Sequence, residues 1–263
     1  MKLKGNMHST ALVTGASSGM GLIYARQLAE KGCDIVLVSN QENELQKAAS
    51  DIANSYHVRA IPHYQDLSLP DAASSLHDFC NAEGLEIEIL VNNAGMFFFK
   101  ELHEEDIPKI DIMMSLHMST VTKLSILFGE DMKKRGHGHI LIVSSMAAKL
   151  PAPGITIYSA TKAYLRSFGK SLYFEMRPYA VGVTTVCPAA IATPLYGLKP
   201  GLMKIGLATG IIHTPEWLVK RALRGMMHKR PVVAPSLMNV YLPPMIRLLP
   251  RDVESGIWKK LRR

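Results

Sequence analysis

The chain has 263 residues, of which 48% are hydrophobic and 20% charged, and a formal net charge of +8. This length buries a core without staples, and this composition is too apolar for a disordered chain. Three scattered cysteines (Cys33, Cys80 and Cys187) with no CxxC pair exclude a disulfide framework and a thiolate zinc site, and suit reduced, buried thiols in a cytoplasmic protein.

Short β-branched runs alternate with helical stretches along the chain. Thr10–Thr14 reads as a first strand, and 19–31 as a helix with Leu22, Ala25, Leu28 and Ala29 on one face. Asp34–Ser39 is a nearly all-apolar second strand, of the kind covered on both faces in a parallel sheet. A helix over 42–54, a strand over 59–64, a helix over 71–83 and a strand over 88–91 follow. A longer helical region ends at Lys133-Lys134-Arg135-Gly136, cations and then glycine, as a helix C-terminus prefers. A strand over 139–143, a helix over 157–177, a strand over 181–186, a helix over 215–228 opened by Thr214-Pro215, and a short strand over 232–234 complete the pattern. The alternation predicts one doubly wound α/β domain, with a mostly parallel sheet of about seven strands flanked by helices. Two segments escape it. Residues 188–213 are glycine-rich and apolar, as a cover over a site would be. Residues 237–263 mix apolar residues, prolines and cations.

The first strand runs into Thr14-Gly15-Ala16-Ser17-Ser18-Gly19-Met20-Gly21 and then a helix. Glycines allow a tight turn and close approach of a ligand, and the helix N-terminus offers N–H groups to a pyrophosphate. The spacing is G-x-x-x-G-x-G. Further candidates follow in order: Asp66-Leu67 after the third strand, Asn92-Asn93-Ala94-Gly95 after the fourth, Ser144-Ser145 after the fifth, and Tyr158-Ser159-Ala160-Thr161-Lys162 on the next helix. Tyr158 and Lys162, four apart, share a helix face. A free tyrosine titrates near 10, too high for a base at neutral pH, and a neighbouring ammonium lowers that value. Such a tyrosine can hand a proton to a carbonyl oxygen or take one from a hydroxyl.

These motifs, in this order over about residues 10–193, resemble the short-chain dehydrogenase/reductase family of Rossmann-fold oxidoreductases. The resemblance implies hydride transfer between NAD(P)(H) and a ketone or secondary alcohol. Tyr158 would be the acid/base, Lys162 its activator and a ribose ligand, and Ser145 the residue that orients substrate and stabilises the developing oxyanion. It implies cofactor contacts from Gly15, Ser17, Ser18, Gly19, Met20 and Gly21, from Ser39 and Asn40, from Asp66 and Leu67, and from Asn92, Ala94 and Gly95. Tyr158, Lys162, Pro188, Ile191 and Thr193 would complete them. Relatives are usually dimers or tetramers, so a homodimer or homotetramer is implied.

Two positions depart from the family. The place of an asparagine that holds a proton-relaying water falls on His117, which either adds an ionisable group near the site or is a packed helix histidine. Pro188-Ala189 stands where Pro-Gly is usual. The end of the second strand holds Ser39-Asn40-Gln41, with neither the acid that binds the ribose hydroxyl of NAD nor a cation for a 2′-phosphate; NADP(H) is favoured over NAD(H). Apolar residues of the cover segment, Leu195, Tyr196, Leu198, Leu202, Met203 and Ile205, point to a lipophilic substrate, 3-oxoacyl or steroid-like. A catalytically weak dinucleotide-binding sensor or scaffold is the alternative.

His137 and His139 lack a third partner for a metal, so no metal is expected. The apolar run needed for a signal peptide does not follow Met1–Asn6, and no run reaches the roughly 18 residues of a bilayer span. The late cations Lys229, Arg230, Arg247, Arg251, Lys259, Lys260, Arg262 and Arg263 form a solvated face or attract an anionic substrate or membrane surface. No aromatic-interleaved basic motif points to nucleic acid.

Overall fold

The computed structural model describes residues 9–150, 152–189, 213–236 and 241. Seven strands form one sheet: β1 (Thr10–Thr14), β2 (Asp34–Ser39), β3 (Ala60–Tyr64), β4 (Ile87–Asn92), β5 (Gly138–Val143), β6 (Val181–Val186) and β7 (Val232–Val233). Their order is β3-β2-β1-β4-β5-β6-β7 and every pairing is parallel. The order reverses between β1 and β4, which opens a crevice at the carboxyl ends of the strands.

The apolar runs explain the layering. Leu12, Val36, Leu90 and Ile140 face one way; Val13, Leu37, Val91 and Leu141 face the other, because side chains alternate along a strand. One face is covered by α1 (Gly19–Ala29), α2 (Glu42–Tyr56) and the late helix Pro215–Met227, through Tyr24, Leu28, Leu45, Ile52, Val219 and Leu223. The other is covered by α3 (Ala72–Ala82) and by two longer helices, through Leu76, Leu124, Phe128, Leu165 and Leu172. Thr214 caps the late helix, its Oγ1 accepting from the Trp217 N–H at 3.2 Å.

The helical region before β5 is not one helix. A 3₁₀ turn (Glu104–Asp106) opens it, α4 covers Ile107–Met114, residues Ser115–Ser119 form a π turn, and α5 runs Thr120–Arg135. The acidic residues Glu104-Glu105-Asp106 start this region; Asp106 receives the His103 N–H at 3.0 Å and Lys100 Nζ at 2.7 Å. The helix α6 spans Thr156–Met176, and the late helix is α7. Most of the expected cover segment, 190–212, lies outside the described residues, as do 237–240 and 242–263.

Candidate active site

A cleft of about 520 Å³ lies at the carboxyl ends of β1 to β4. Gly15, Ser17, Ser18, Gly19 and Met20 form one wall. Gly15 has φ +66°, and a Cβ there would stand 3.0 Å from Ala94 Cα. Gly21 packs on the Gly15 carbonyl so closely that any side chain would collide with it. The turn therefore needs both glycines to bring strand, helix and the β4 loop together. No side chain caps the N-terminus of α1 and no acid sits in its first turn. Its unpaired N–H groups and partial positive charge fit an anionic pyrophosphate. A dinucleotide thus suits the cradle on its donors and on the space its glycines leave.

The expected residues divide. Gly15, Ser17, Ser18, Gly19, Met20, Ser39, Asn40, Asp66, Leu67, Ala94 and Gly95 line the cleft, joined by Gln41, Gln65, Asn93 and Leu116, which the sequence reading did not name as contacts. Gly21 acts from behind the wall. Asn92 does not line it: its Nδ2 donates to Ser125 Oγ at 3.1 Å in the core. It is the last residue of β4, where strand alternation turns it inward and presents Asn93 instead. Asn93 donates from Nδ2 to the Thr14 carbonyl at 3.0 Å, and Thr14 Oγ1 receives the N–H groups of Asn93 and Ala94 at 2.9 and 3.0 Å. Ile191 and Thr193 lie outside the described residues.

At the end of β2, uncharged groups close on one another. Ser17 Oγ donates to Gln41 Oε1 at 2.8 Å and stands 2.9 Å from Ser39 Oγ, which accepts the Gln41 N–H at 3.2 Å. No carboxylate lines the cleft here; Asp66, after β3, receives the N–H and hydroxyl of Ser68.

Ser145, Tyr158 and Lys162 do not line this cleft; His117, beside its Gly95 end, meets the Tyr158 ring. Ser144 Oγ donates to the Lys162 carbonyl at 2.7 Å and Lys162 Nζ donates to the Val143 carbonyl at 2.9 Å, which stitches α6 to the end of β5. The ammonium stands 5.6 Å from the centre of the Tyr158 ring. Burial pushes the Lys162 pKa down to about 8. Ser145 is buried, and its Oγ accepts the Ala147 N–H at 3.1 Å. The Pro188 carbonyl accepts the Met146 N–H at 2.7 Å, so the Pro188-Ala189 turn braces the serine loop.

His117 is fully buried in the π turn. Its ring meets Tyr158 edge-to-face with centroids 6.0 Å apart. Nε2 accepts the Met96 N–H at 3.0 Å, and Nδ1 is 2.9 Å from Thr161 Oγ1. Burial first, and Lys162 second, push its pKa down to about 2. Of the two readings the sequence leaves open, an added ionisable group or a packed helix histidine, the geometry fits the second: the ring is buried with both nitrogens engaged.

The family model described as short chain dehydrogenase matches residues 9–199. The very-long-chain 3-oxoacyl-CoA reductase of Macaca fascicularis is 34% identical over 219 residues, 81% of this chain and 67% of that protein. The mouse protein of the same name is 35% identical over 199 residues, 74% of this chain and 63% of that one. The chain thus spans about two thirds of the length of these relatives. Among solved structures, a short-chain dehydrogenase from Sphingobium yanoikuyae in complex with NADPH superposes with a TM-score of 0.78 at 27% identity, covering 96% of this chain and 94% of that one. L-sorbose reductase from Gluconobacter frateurii, complexed with NADPH and L-sorbose, gives 0.77 at 26%, covering 89% and 98%.

Proposed function

Because this chain belongs to the short-chain dehydrogenase family, we propose that it is an NADP(H)-dependent reductase of a lipophilic ketone, with a long-chain 3-oxoacyl thioester as the leading substrate class. The observation that carries the chemistry is the buried Lys162 ammonium within 5.6 Å of the Tyr158 ring. The bound cofactor supplies the hydride. Tyr158 gives its phenolic proton to the substrate oxygen in reduction and takes one back in oxidation. A cation held beside a forming phenolate lowers the cost of that proton transfer. Ser145 spends a lone pair on Ala147, which leaves its O–H to donate to the reacting oxygen.

The thioester is supported by the 3-oxoacyl-CoA reductases at about 34% identity, and NADP(H) by the acid-free end of β2 and by NADPH in the neighbouring structures. Reduced, buried thiols at Cys33, Cys80 and Cys187 support a cytoplasmic setting. The dimers and tetramers usual among the family's members support a homodimer or homotetramer.

The deciding experiment follows NADPH and NADH consumption with long-chain 3-oxoacyl-CoA and a panel of ketones, for the native chain and Tyr158→Phe. The variant should bind NADPH normally and lose about 10²–10⁴-fold in turnover. Ser39→Asp, which sets a carboxylate against a 2′-phosphate, should lower kcat/KM with NADPH by at least about tenfold and spare NADH. Cofactor binding without turnover of any substrate would favour a sensor instead.

A further inference from the structure

His117 is engaged at every polar atom, and the directions of those bonds are fixed by their partners. The Met96 N–H can only donate, so Nε2 is the unprotonated nitrogen. Thr161 Oγ1 gives its single hydrogen to the Tyr158 carbonyl at 2.9 Å, so toward the ring it can only accept, and Nδ1 must carry the proton. One directed chain then runs from the Met96 amide through the imidazole and the Thr161 hydroxyl to the backbone of Tyr158. Gly95 is shaped to admit it: a Cβ there would stand 2.9 Å from Nε2. Phe97, one residue on from Met96, meets the Tyr158 ring edge-to-face at 4.9 Å. The segment that walls the cofactor cleft and the residue that would move the proton are thus coupled through one side chain.

We propose that His117 is a positioning residue, a neutral strut locked in its Nδ1–H form that holds the Gly95–Met96 backbone in register with Tyr158, and not a proton relay. A relay must accept a proton and release it. Protonation at Nε2 would aim an N–H at the Met96 N–H and place a second buried cation beside Lys162, the charged neighbour the ring feels from α6; burial and that lysine keep the pKa near 2. The strut matters because acid/base group and cofactor must meet within tenths of an ångström, and a misplacement of about 1 Å costs about 100-fold in rate.

The inference rests on the acid/base role of Tyr158, so its first test needs no substrate. Nitrogen-15 NMR of the full chain with labelled histidine should show His117 as the Nδ1–H tautomer, unchanged from roughly pH 5 to 9, across the range where an ordinary histidine titrates. An Nε2–H tautomer, or a titration in that window, overturns the proposal. Three variants extend the test with NADPH and a 3-oxoacyl-CoA. His117→Gln keeps an acceptor for Met96, His117→Asn keeps a donor for Thr161, and His117→Phe keeps the ring alone. The phenylalanine variant should lose about 100-fold in kcat with inflections of the pH–rate profile unmoved, and the glutamine and asparagine variants should each recover part of the loss. A limb of the profile that vanishes with the imidazole would mean a relay, and full kcat in all three would mean packing alone; either overturns the strut. Retained turnover in Tyr158→Phe would instead sink the proposed function and leave the tautomer result standing.

Discussion

Lys162 is held where activity and stability oppose each other. In the unfolded chain a lysine keeps its proton to about 10.4, whereas burial brings this one down to about 8. Between those values the unfolded state binds more protons, so stability rises with pH there; below 8 both states are protonated and the full penalty, about 3 kcal/mol, remains. Lys162→Met should therefore match or exceed the native chain in thermal stability at pH 7, lose that advantage as pH approaches 10, and lose turnover. A melting temperature far below the native one at pH 7 would show that the bond to the Val143 carbonyl outweighs the buried charge. The residue scale was also the most legible. Ser145, Tyr158 and Lys162 carry reactive groups at a spacing that a strand end and one helix face explain. Thr161, between them, gave no signal, because its role depends on a histidine 44 residues away.

Among the elements, the turn between β1 and α1 is the least tolerant of change. Gly21→Ala would drive a methyl into the Gly15 carbonyl and to 2.7 Å from Asn93 Nδ2. The expected outcome is NADPH affinity reduced at least about 100-fold by calorimetry, as the helix N-terminus is pushed from the phosphates, with the sheet kept by circular dichroism. Unchanged affinity would show that the turn can open freely. The elements themselves were readable because parallel strands write apolar runs and helices write a 3.6-residue period. The π turn at Ser115–Ser119 was not, since a shift from i→i+4 to i→i+5 bonding leaves hydrophobic residues on both sides of it and carries no residue signature. Asn92 was misplaced for a related reason: a motif names four consecutive residues, but the pleat decides which of two neighbouring asparagines meets the cleft.

For the whole molecule, acid is the expected weakness. His117 and His139 are buried and neutral, with pKa values down at about 2 and about 4. Unfolding lets each take a proton below about 6.5, so their contribution is complete above that pH and is lost as pH falls. Well below 6.5, each subtracts about 1.4 kcal/mol per pH unit until its folded pKa is reached. Urea midpoints measured at pH 7 and pH 5 should differ clearly, and His139→Asn should remove about half of the difference, His117 contributing the rest. Equal midpoints would mean that both rings charge without unfolding.

The strand order has a consequence for how the chain is made. β1 is an interior strand, lying between β2 and β4, and its last residue, Thr14, bonds to Val91 77 positions later. During synthesis at about 5–20 residues per second, β1 is complete several seconds before β4 exists to cover its open side. Ala11, Leu12 and Val13, fully buried at the end, must wait as an unpaired apolar edge beside a growing chain. Closing loops of this length is slow, so yield at high expression should depend on translation speed and chaperone supply more than on the stability of the finished protein.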